Sequence, residues 1–90
     1  SARQRQKSFA ELRALAARVS QLQSEFERAE HSDDRAAKKA ARRAREAAVL
    51  SLQLSVAELG ELELLEALKR CSVRAKLELI DAYLQQERHA

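Results

Sequence analysis

The feature that most limits the fold is the near absence of residues that interrupt helices. The 90-residue chain has no proline and one glycine, Gly60. Ala, Leu, Glu, Arg, Lys and Gln dominate the rest of the sequence, and all six are strong helix formers. Residues that mark turns between strands are nearly missing. The sequence therefore predicts an all-α fold, and its length fits a single domain.

A first helix is predicted from about residue 9 to residue 31 by apolar residues at alternating spacings of three and four. Ser8 followed by Glu11 has the spacing of a capping box, so the helix is expected to start there, after a frayed polar segment. Phe26 is expected to lie in the core against small residues of the next helix. The apolar stripe consists of Leu12, Leu15, Val19, Leu22, Phe26 and Ala29.

A second helix is predicted from about residue 34 to residue 58, after a tight turn at His31 to Asp34. Ser32, Asp33 and Asp34 favour capping positions, and the two carboxylates suit the positive end of a helix. From Val49 to Leu59 apolar residues point all round the helix, which indicates either deep burial or a partner. The first half has an alanine-rich face opposite a basic face of Arg35, Lys38, Lys39, Arg42 and Arg45.

A third helix is predicted from about residue 61 to residue 87, with the preceding break between Ser55 and Glu61. Its apolar residues form two rows that are offset around the axis, so the helix is expected to kink near Cys71 and Ser72 or to contact two neighbours in turn. Together the three segments predict an antiparallel three-helix bundle.

Catalytic chemistry is not indicated by the polar residues. His31, His89 and Cys71 are far apart in the sequence, which argues against a metal or thiol site, and no cofactor is expected. One glycine excludes a Gly-rich phosphate loop. No apolar run reaches the length of a membrane span, so a cytoplasmic location, with a nuclear one also open, is expected.

Three groups of residues carry a resemblance to a known family. They are Leu15, Arg18-Val19, Leu22 and Phe26 in the first helix; Ser32-Asp33-Asp34-Arg35 with Lys38-Lys39 and Arg42 at the start of the second; and Glu66-Ala67 through Arg70, Val73, Lys76-Leu77, Ile80 and Leu84 in the third. In these positions the chain resembles a BAG domain, a co-chaperone module that binds the ATPase domain of seventy-kilodalton heat-shock chaperones.

The resemblance implies a non-enzymatic domain that binds a chaperone and promotes nucleotide exchange. Arg70 matches the family's chaperone-contacting Arg, and Glu78 occupies the position of a Gln in the third helix. The family's second helix presents acidic residues, whereas the corresponding helix here begins with basic ones. The candidate partner-binding residues are Arg70, Glu78, Arg74 and Arg42.

Two other functions remain open from the residues alone. The apolar segment from Val49 to Leu59 is also typical of a coiled-coil scaffold or a self-association module. The basic run from Arg35 to Arg45 is also typical of a helix that binds nucleic acid through phosphates.

Residues 1–45 carry 12 Lys and Arg against 6 Asp and Glu, and residues 46–90 carry 5 against 8. The two halves are therefore expected to attract each other or different partners.

Overall fold

Four helices make up residues 2–88, the part of the chain that the computed structural model describes, with side chains through residue 86. They are α1 (Ala2–Ala29), α2 (Arg35–Glu58), α3 (Leu62–Lys69) and α4 (Val73–Arg88). No strand occurs within residues 2–88. The all-α prediction is confirmed. The prediction of a three-helix bundle is not, because the segment predicted as one third helix forms two.

The first helix begins earlier than residue 9, the predicted start. The Ser8 hydroxyl donates to the Gln4 carbonyl oxygen at 3.0 Å, so Ser8 lies inside the helix and does not cap it. The preceding Ala, Arg, Gln and Lys residues are good helix formers, and no breaker separates them from the apolar stripe. The spacing of a capping box was therefore coincidental. At the other end α1 stops at Ala29, two residues before the predicted end.

The turn between α1 and α2 is held by short polar side chains. The Asp34 carboxylate accepts the Ala37 amide at 3.1 Å and caps α2, and the Ser32 hydroxyl oxygen accepts the Asp34 amide at 3.0 Å. These bonds satisfy main-chain donors that the first turn of a helix leaves unpaired. The bounds of α2, Arg35–Glu58, differ from the predicted 34–58 by one residue.

Gly60 reverses the chain at the end of α2. Its φ of 78° is in the left-handed region, which glycine adopts without strain. The Gly60 amide donates to the Ala57 carbonyl oxygen at 3.0 Å, and the Glu61 amide donates to that of Val56 at 3.4 Å. This pair of bonds is a Schellman motif, so α2 ends where the only glycine of the chain permits it to end.

The four helices form an elongated bundle with extents of 49 × 23 × 20 Å. The antiparallel pair α1 and α2 is the main body, while α4 packs chiefly on α1, and α3 packs on α2. Arg74 at the start of α4 contacts Glu27 near the end of α1, and Tyr83 near the end of α4 contacts Phe9 with ring centroids 6.0 Å apart. These two contacts make α4 antiparallel to α1.

The buried core occupies one part of the α1–α2 pair. It consists of Leu12, Val19, Leu22, Ala48, Leu52, Val56, Leu68, Ile80 and Leu84. None of residues 23–47 is buried. We call residues 23–47 the turn end, and the rest of the α1–α2 pair with α3 and α4 the core end. The core end is covered by α3 and α4, whereas the turn end is a two-helix hairpin that α4 reaches near Glu27 through the Arg74 side chain.

Candidate functional site

The corner between α3 and α4 is built by local hydrogen bonds. The Arg70 amide donates to the Ala67 carbonyl oxygen at 3.2 Å as α3 ends. The Ser72 hydroxyl oxygen then accepts the Ala75 amide at 3.2 Å, and the Ser72 carbonyl oxygen accepts the Lys76 amide at 2.9 Å. Ser72 therefore caps α4, and the predicted kink near this residue is a full break between two helices.

The buried Lys76 side chain stabilises this corner by donating hydrogen bonds to main-chain oxygens. It is only 8% exposed, and its Nζ donates to the Leu68 carbonyl oxygen and, at 2.8 Å, to that of Cys71. The last carbonyl oxygens of a helix lack intrahelical donors and carry partial negative charge. The Lys76 ammonium group supplies both hydrogen-bond donors and a positive charge at this helix end. A buried charge without such partners would be costly. Lys76 thus holds the end of α3 against the first turn of α4.

Three of the four predicted partner-binding residues lie at this corner with exposed side chains. Arg70 is the C-cap residue of α3, Arg74 lies in the first turn of α4, and Glu78 follows one turn later on the same side of α4. Arg42 lies elsewhere, on the turn-end part of α2. The structure therefore brings Arg70, Arg74 and Glu78 together and leaves Arg42 apart from them.

A chain of polar contacts connects three helices beside the corner. The Arg45 Nη1 donates to the Gln23 Oε1 at 3.2 Å, and the Gln23 Nε2 donates to the Glu27 Oε2 at 3.0 Å. The Arg74 guanidinium donates to both carboxylate oxygens of Glu27. The hydrogen bond from Gln23, and after it the bond from Arg74, lower the pKa of Glu27 below its ordinary value. We call Arg45, Gln23, Glu27 and Arg74 the polar chain.

Two of the residues that organise the site were missed by the sequence reasoning. Gln23 and Glu27 are polar positions on the flank of the apolar stripe, and nothing in their spacing indicates the Arg residues that reach them. The burial of Lys76 was indicated by its spacing, because it follows Val73 by three residues and precedes Ile80 by four, as residues on the core side of a helix do. A charged residue at a core position requires a partner, and that partner is main-chain oxygen.

The basic face of α2 is exposed over its first two turns at Arg35, Lys39 and Arg42, and Lys38 is half-buried. Arg35, Lys38, Lys39 and Arg42 line an open depression of about 460 Å³. Within the described residues, no acidic side chain forms an ion pair with any of these four. The surface is therefore a concentration of uncompensated positive charge.

The sequence analysis placed Arg45 on the basic face of α2, turned to solvent, and this prediction is wrong, because Arg45 is half-buried. Its guanidinium carbon lies 3.9 Å from the centroid of the Phe26 ring, and its Nε is buried without a hydrogen-bond partner. Phe26 is itself half-buried and lies outside the core, which corrects the expectation that alanines would enclose it. The alanines of α2 are too small to enclose the ring. The Arg45 guanidinium instead covers the exposed face of the Phe26 ring in a cation–π contact.

The apolar segment from Val49 to Leu59 is divided between two sides of α2. Leu52 and Val56 are fully buried, whereas Leu50 and Leu54 are 60% and 64% exposed. Leu62, at the start of α3, is 65% exposed. Large aliphatic side chains exposed close together on a small domain often mark an interaction surface.

The residues considered for metal or thiol chemistry remain separate. His31 is exposed in the α1–α2 turn, and the half-buried Cys71 thiol donates to the Leu68 carbonyl oxygen at 3.6 Å. His89 lies outside the described residues. Among residues 2–88, no group of three or more His, Cys, Asp or Glu side chains is arranged to hold a metal ion. In the same part of the chain, no helix is both long enough and apolar enough to cross a membrane.

The fold and surface together define an all-helical domain with a charged corner, a basic face and an exposed group of leucines. Comparisons with models of protein families, with curated proteins and with solved structures found no match to this chain. Its function must therefore be inferred from its own geometry and from the pattern of its sequence.

Proposed function

We propose that this chain is a non-enzymatic docking domain that binds another protein through the corner of α3 and α4. The observation that supports the proposal is the exposure of Arg70 and Glu78 at a corner that a buried lysine holds in place, with the exposed Arg74 paired to Glu27 beside them. A corner whose backbone is already held in place loses little backbone conformational entropy on binding, which favours specific recognition.

The partner class that the sequence resemblance implies is the ATPase domain of a seventy-kilodalton heat-shock chaperone. Arg70 is the residue that matches the BAG contact, and the end of α3 is where its planar fork projects into solvent. Binding that favours the open nucleotide cleft would accelerate ADP release by shifting the population of chaperone conformations. Arg42 and its basic neighbours on α2 lie apart from the corner and are not part of the proposed contact.

Titration calorimetry of the chain against the chaperone ATPase domain, with ADP release followed in parallel, tests this proposal. Arg70→Ala is expected to weaken binding by about 1.5–3 kcal/mol, the value of a charged hydrogen bond, with little change in melting temperature. Arg18→Ala removes an exposed Arg from α1 and serves as the matched control. Absence of heat and of accelerated release at tens of micromolar would remove the chaperone as the partner.

A second candidate function, nucleic-acid binding, is favoured by the depression between Arg35, Lys38, Lys39 and Arg42. Such a surface binds phosphates by releasing counterions, so its affinity falls steeply with salt. Replacing Lys39 and Arg42 by Gln should change the free energy of unfolding by less than about 0.5 kcal/mol, because both side chains are exposed. Loss of salt-dependent binding to duplex or single-stranded nucleic acid in this variant would favour the second candidate over the first.

A further inference from the structure

Ser72 follows basic residues in the short segment between α3 and α4. Lys69 and Arg70 lie three and two positions before it, and the apolar Val73 comes directly after it. Kinases select their serine substrates partly by charge, and acidic groups in a kinase cleft bind Arg or Lys at these preceding positions. The pattern therefore fits the substrate of a serine kinase that selects basic residues before its acceptor.

The structure leaves the Ser72 side chain accessible to an enzyme. Ser72 is exposed, and so are Lys69 and Arg70. The residues from Arg70 to Ser72 lie outside the helices, because α3 ends at Lys69 and α4 begins at Val73. An extended stretch from Lys69 to Val73 therefore requires only one residue to unwind at the adjoining end of each helix. Helix ends open at low free energy, so a kinase cleft can receive this segment.

Ser8 has a similar sequence pattern but a different environment. It follows Arg5 and Lys7 and precedes Phe9. Ser8 is half-buried within α1, and its hydroxyl donates to the Gln4 carbonyl oxygen at 3.0 Å. The Arg5 guanidinium carbon lies 5.6 Å from the centroid of the half-buried Phe9 ring. A kinase would have to unwind α1 on both sides of Ser8 and release these contacts. The chain thus contains an internal comparison between a serine at a helix break and a serine inside a helix.

We propose that Ser72 is a phosphorylation site, with ATP as the phosphoryl donor and a serine kinase that selects preceding basic residues as the enzyme. In the transfer, the Ser72 Oγ attacks the γ-phosphorus of ATP. The bond from Oγ to phosphorus forms while the bond from that phosphorus to the β,γ-bridging oxygen breaks, and ADP leaves. The hydroxyl proton passes to the catalytic carboxylate of the kinase.

The corner can accept a phosphate on Ser72 without losing its fold. The Ser72 Oγ already accepts the Ala75 amide at 3.2 Å, and negative charge at the first turn of a helix is stabilising. A phosphoserine carries a charge of about −1.5 to −2 and lies two residues from both Arg70 and Arg74. Arg74 is paired with Glu27, whereas Arg70 forms no ion pair within the described residues. The phosphate is therefore added beside positive charge that the chain does not itself neutralise.

Phosphate incorporation into the intact chain tests the site, with ATP and the catalytic subunit of cyclic-AMP-dependent protein kinase as the probe and mass spectrometry to locate the phosphate. We expect Ser72 to be the principal acceptor. Ser72→Asn keeps a helix-capping side chain but has no hydroxyl, so it should lose this phosphate. Ser8→Ala is the matched control and should be phosphorylated at the wild-type rate. A wild-type chain that takes up no phosphate, or takes it up mainly at another residue, would overturn the proposal.

A second pair of variants tests the selection of basic residues. Arg70→Gln removes one charged hydrogen bond to the kinase, so the phosphorylation rate at low substrate concentration should fall by roughly tenfold or more. Arg18→Gln, at an exposed position on α1, is the control and should keep the wild-type rate. Equal rates for the two variants would contradict recognition through Arg70. Far-ultraviolet circular dichroism of each variant verifies that the helices are retained.

One consequence of the modification rests on the proposed docking function. A phosphate beside Arg70 opposes the contact of this residue with acidic groups of a partner. The phosphorylated chain should therefore bind the chaperone ATPase domain roughly tenfold or more weakly than the unmodified chain, as calorimetry measures. Equal affinities of the two forms would overturn this consequence. Phosphate incorporation is measured without the chaperone, so failure of the docking proposal and failure of the phosphorylation site are distinguished.

Discussion

The turn end and the core end share the helices α1 and α2 but are held together by different interactions. At the core end, Leu, Val and Ile side chains exclude water beneath α3 and α4. At the turn end no residue is buried, and the helices are joined by a capped turn, the Arg45–Phe26 contact and the polar chain. Apolar burial is therefore expected to provide most of the stability at one end, and polar geometry at the other.

The largest expected effect is at the core end. Leu52→Ala removes a fully buried side chain from the centre of α2 and leaves a cavity, so the free energy of unfolding should fall by about 2–5 kcal/mol. Chemical denaturation followed by circular dichroism measures this loss. Leu54→Ala, two residues away and exposed, is the matched control and should cost far less under conditions where the chain is monomeric. Similar losses for the two variants would contradict the assignment of the inner and outer sides of α2.

The Lys76 corner is expected to contribute the next largest effect. Lys76→Met keeps the aliphatic stem but removes the ammonium donor from the Leu68 and Cys71 carbonyl oxygens, and the Leu68 oxygen retains the weak donation from the Cys71 thiol. Stability should fall by about 1.5–3 kcal/mol, the value of charged hydrogen bonds to buried acceptors. Lys69→Met, at an exposed position on α3, is the control and should be nearly neutral. A Lys76→Met variant as stable as the wild type would show that the corner is held by apolar packing alone.

The Phe26→Ala substitution tests how much the contacts of the turn end contribute to the free energy of unfolding. Because its ring is half-buried beneath the Arg45 guanidinium, Phe26→Ala should cost about 1–2 kcal/mol, less than a core aromatic residue would. A double-mutant cycle with Arg45→Ala should give a coupling energy of about 0.5–1 kcal/mol. A loss for Phe26→Ala that equals or exceeds that of Leu52→Ala would show that the turn end contains a second core.

The smallest expected effect depends on pH. The pKa of Glu27 is lowered in the folded chain, so its stabilising contribution is complete above the pKa of an unfolded glutamate, about 4.3, and is lost as the pH falls through the lower folded pKa. Glu27→Gln should therefore be less stable than the wild type at neutral pH. The melting temperatures of the two chains should converge on acidification below that value. A difference that stays constant down to low pH would mean that the Glu27 charge does not stabilise the fold.

The parts of the fold that could be predicted from the sequence are those determined by neighbouring residues. Asp34 and Gly60 act through bonds to amides and carbonyls within four residues, and the bounds of α2 were accordingly predicted to within one residue. Ser8 and Glu11 show the limit of such reasoning, because the same spacing occurs inside a continuing helix. A capping pair indicates a helix start only where the preceding residues disfavour a helix, and here they favour one.

The parts that could not be predicted depend on contacts between distant segments. The apolar stripe of α1 includes Phe26, but periodicity does not tell how far a third layer of helices extends along it. The break at Ser72 was expected only as a kink, because the interaction that stabilises it joins Lys76 to carbonyl oxygens, which have no sequence signature. Arg70 and Glu78 were identified from the resemblance, whereas the pairing of the candidate residue Arg74 with Glu27 required the structure.

The absence of buried residues between Gln23 and Ala47 has a consequence for the cooperativity of α2. Amides near Lys38 and Arg42 can exchange with solvent hydrogen through local fraying of the hairpin, because such opening exposes no apolar core. Amides near Leu52 and Val56 exchange only when the packing of α2 against α1 and α3 is lost as well. Protection against hydrogen exchange should therefore rise along α2 from its first turn to its last, so that one continuous helix belongs to two units that open at different free energies.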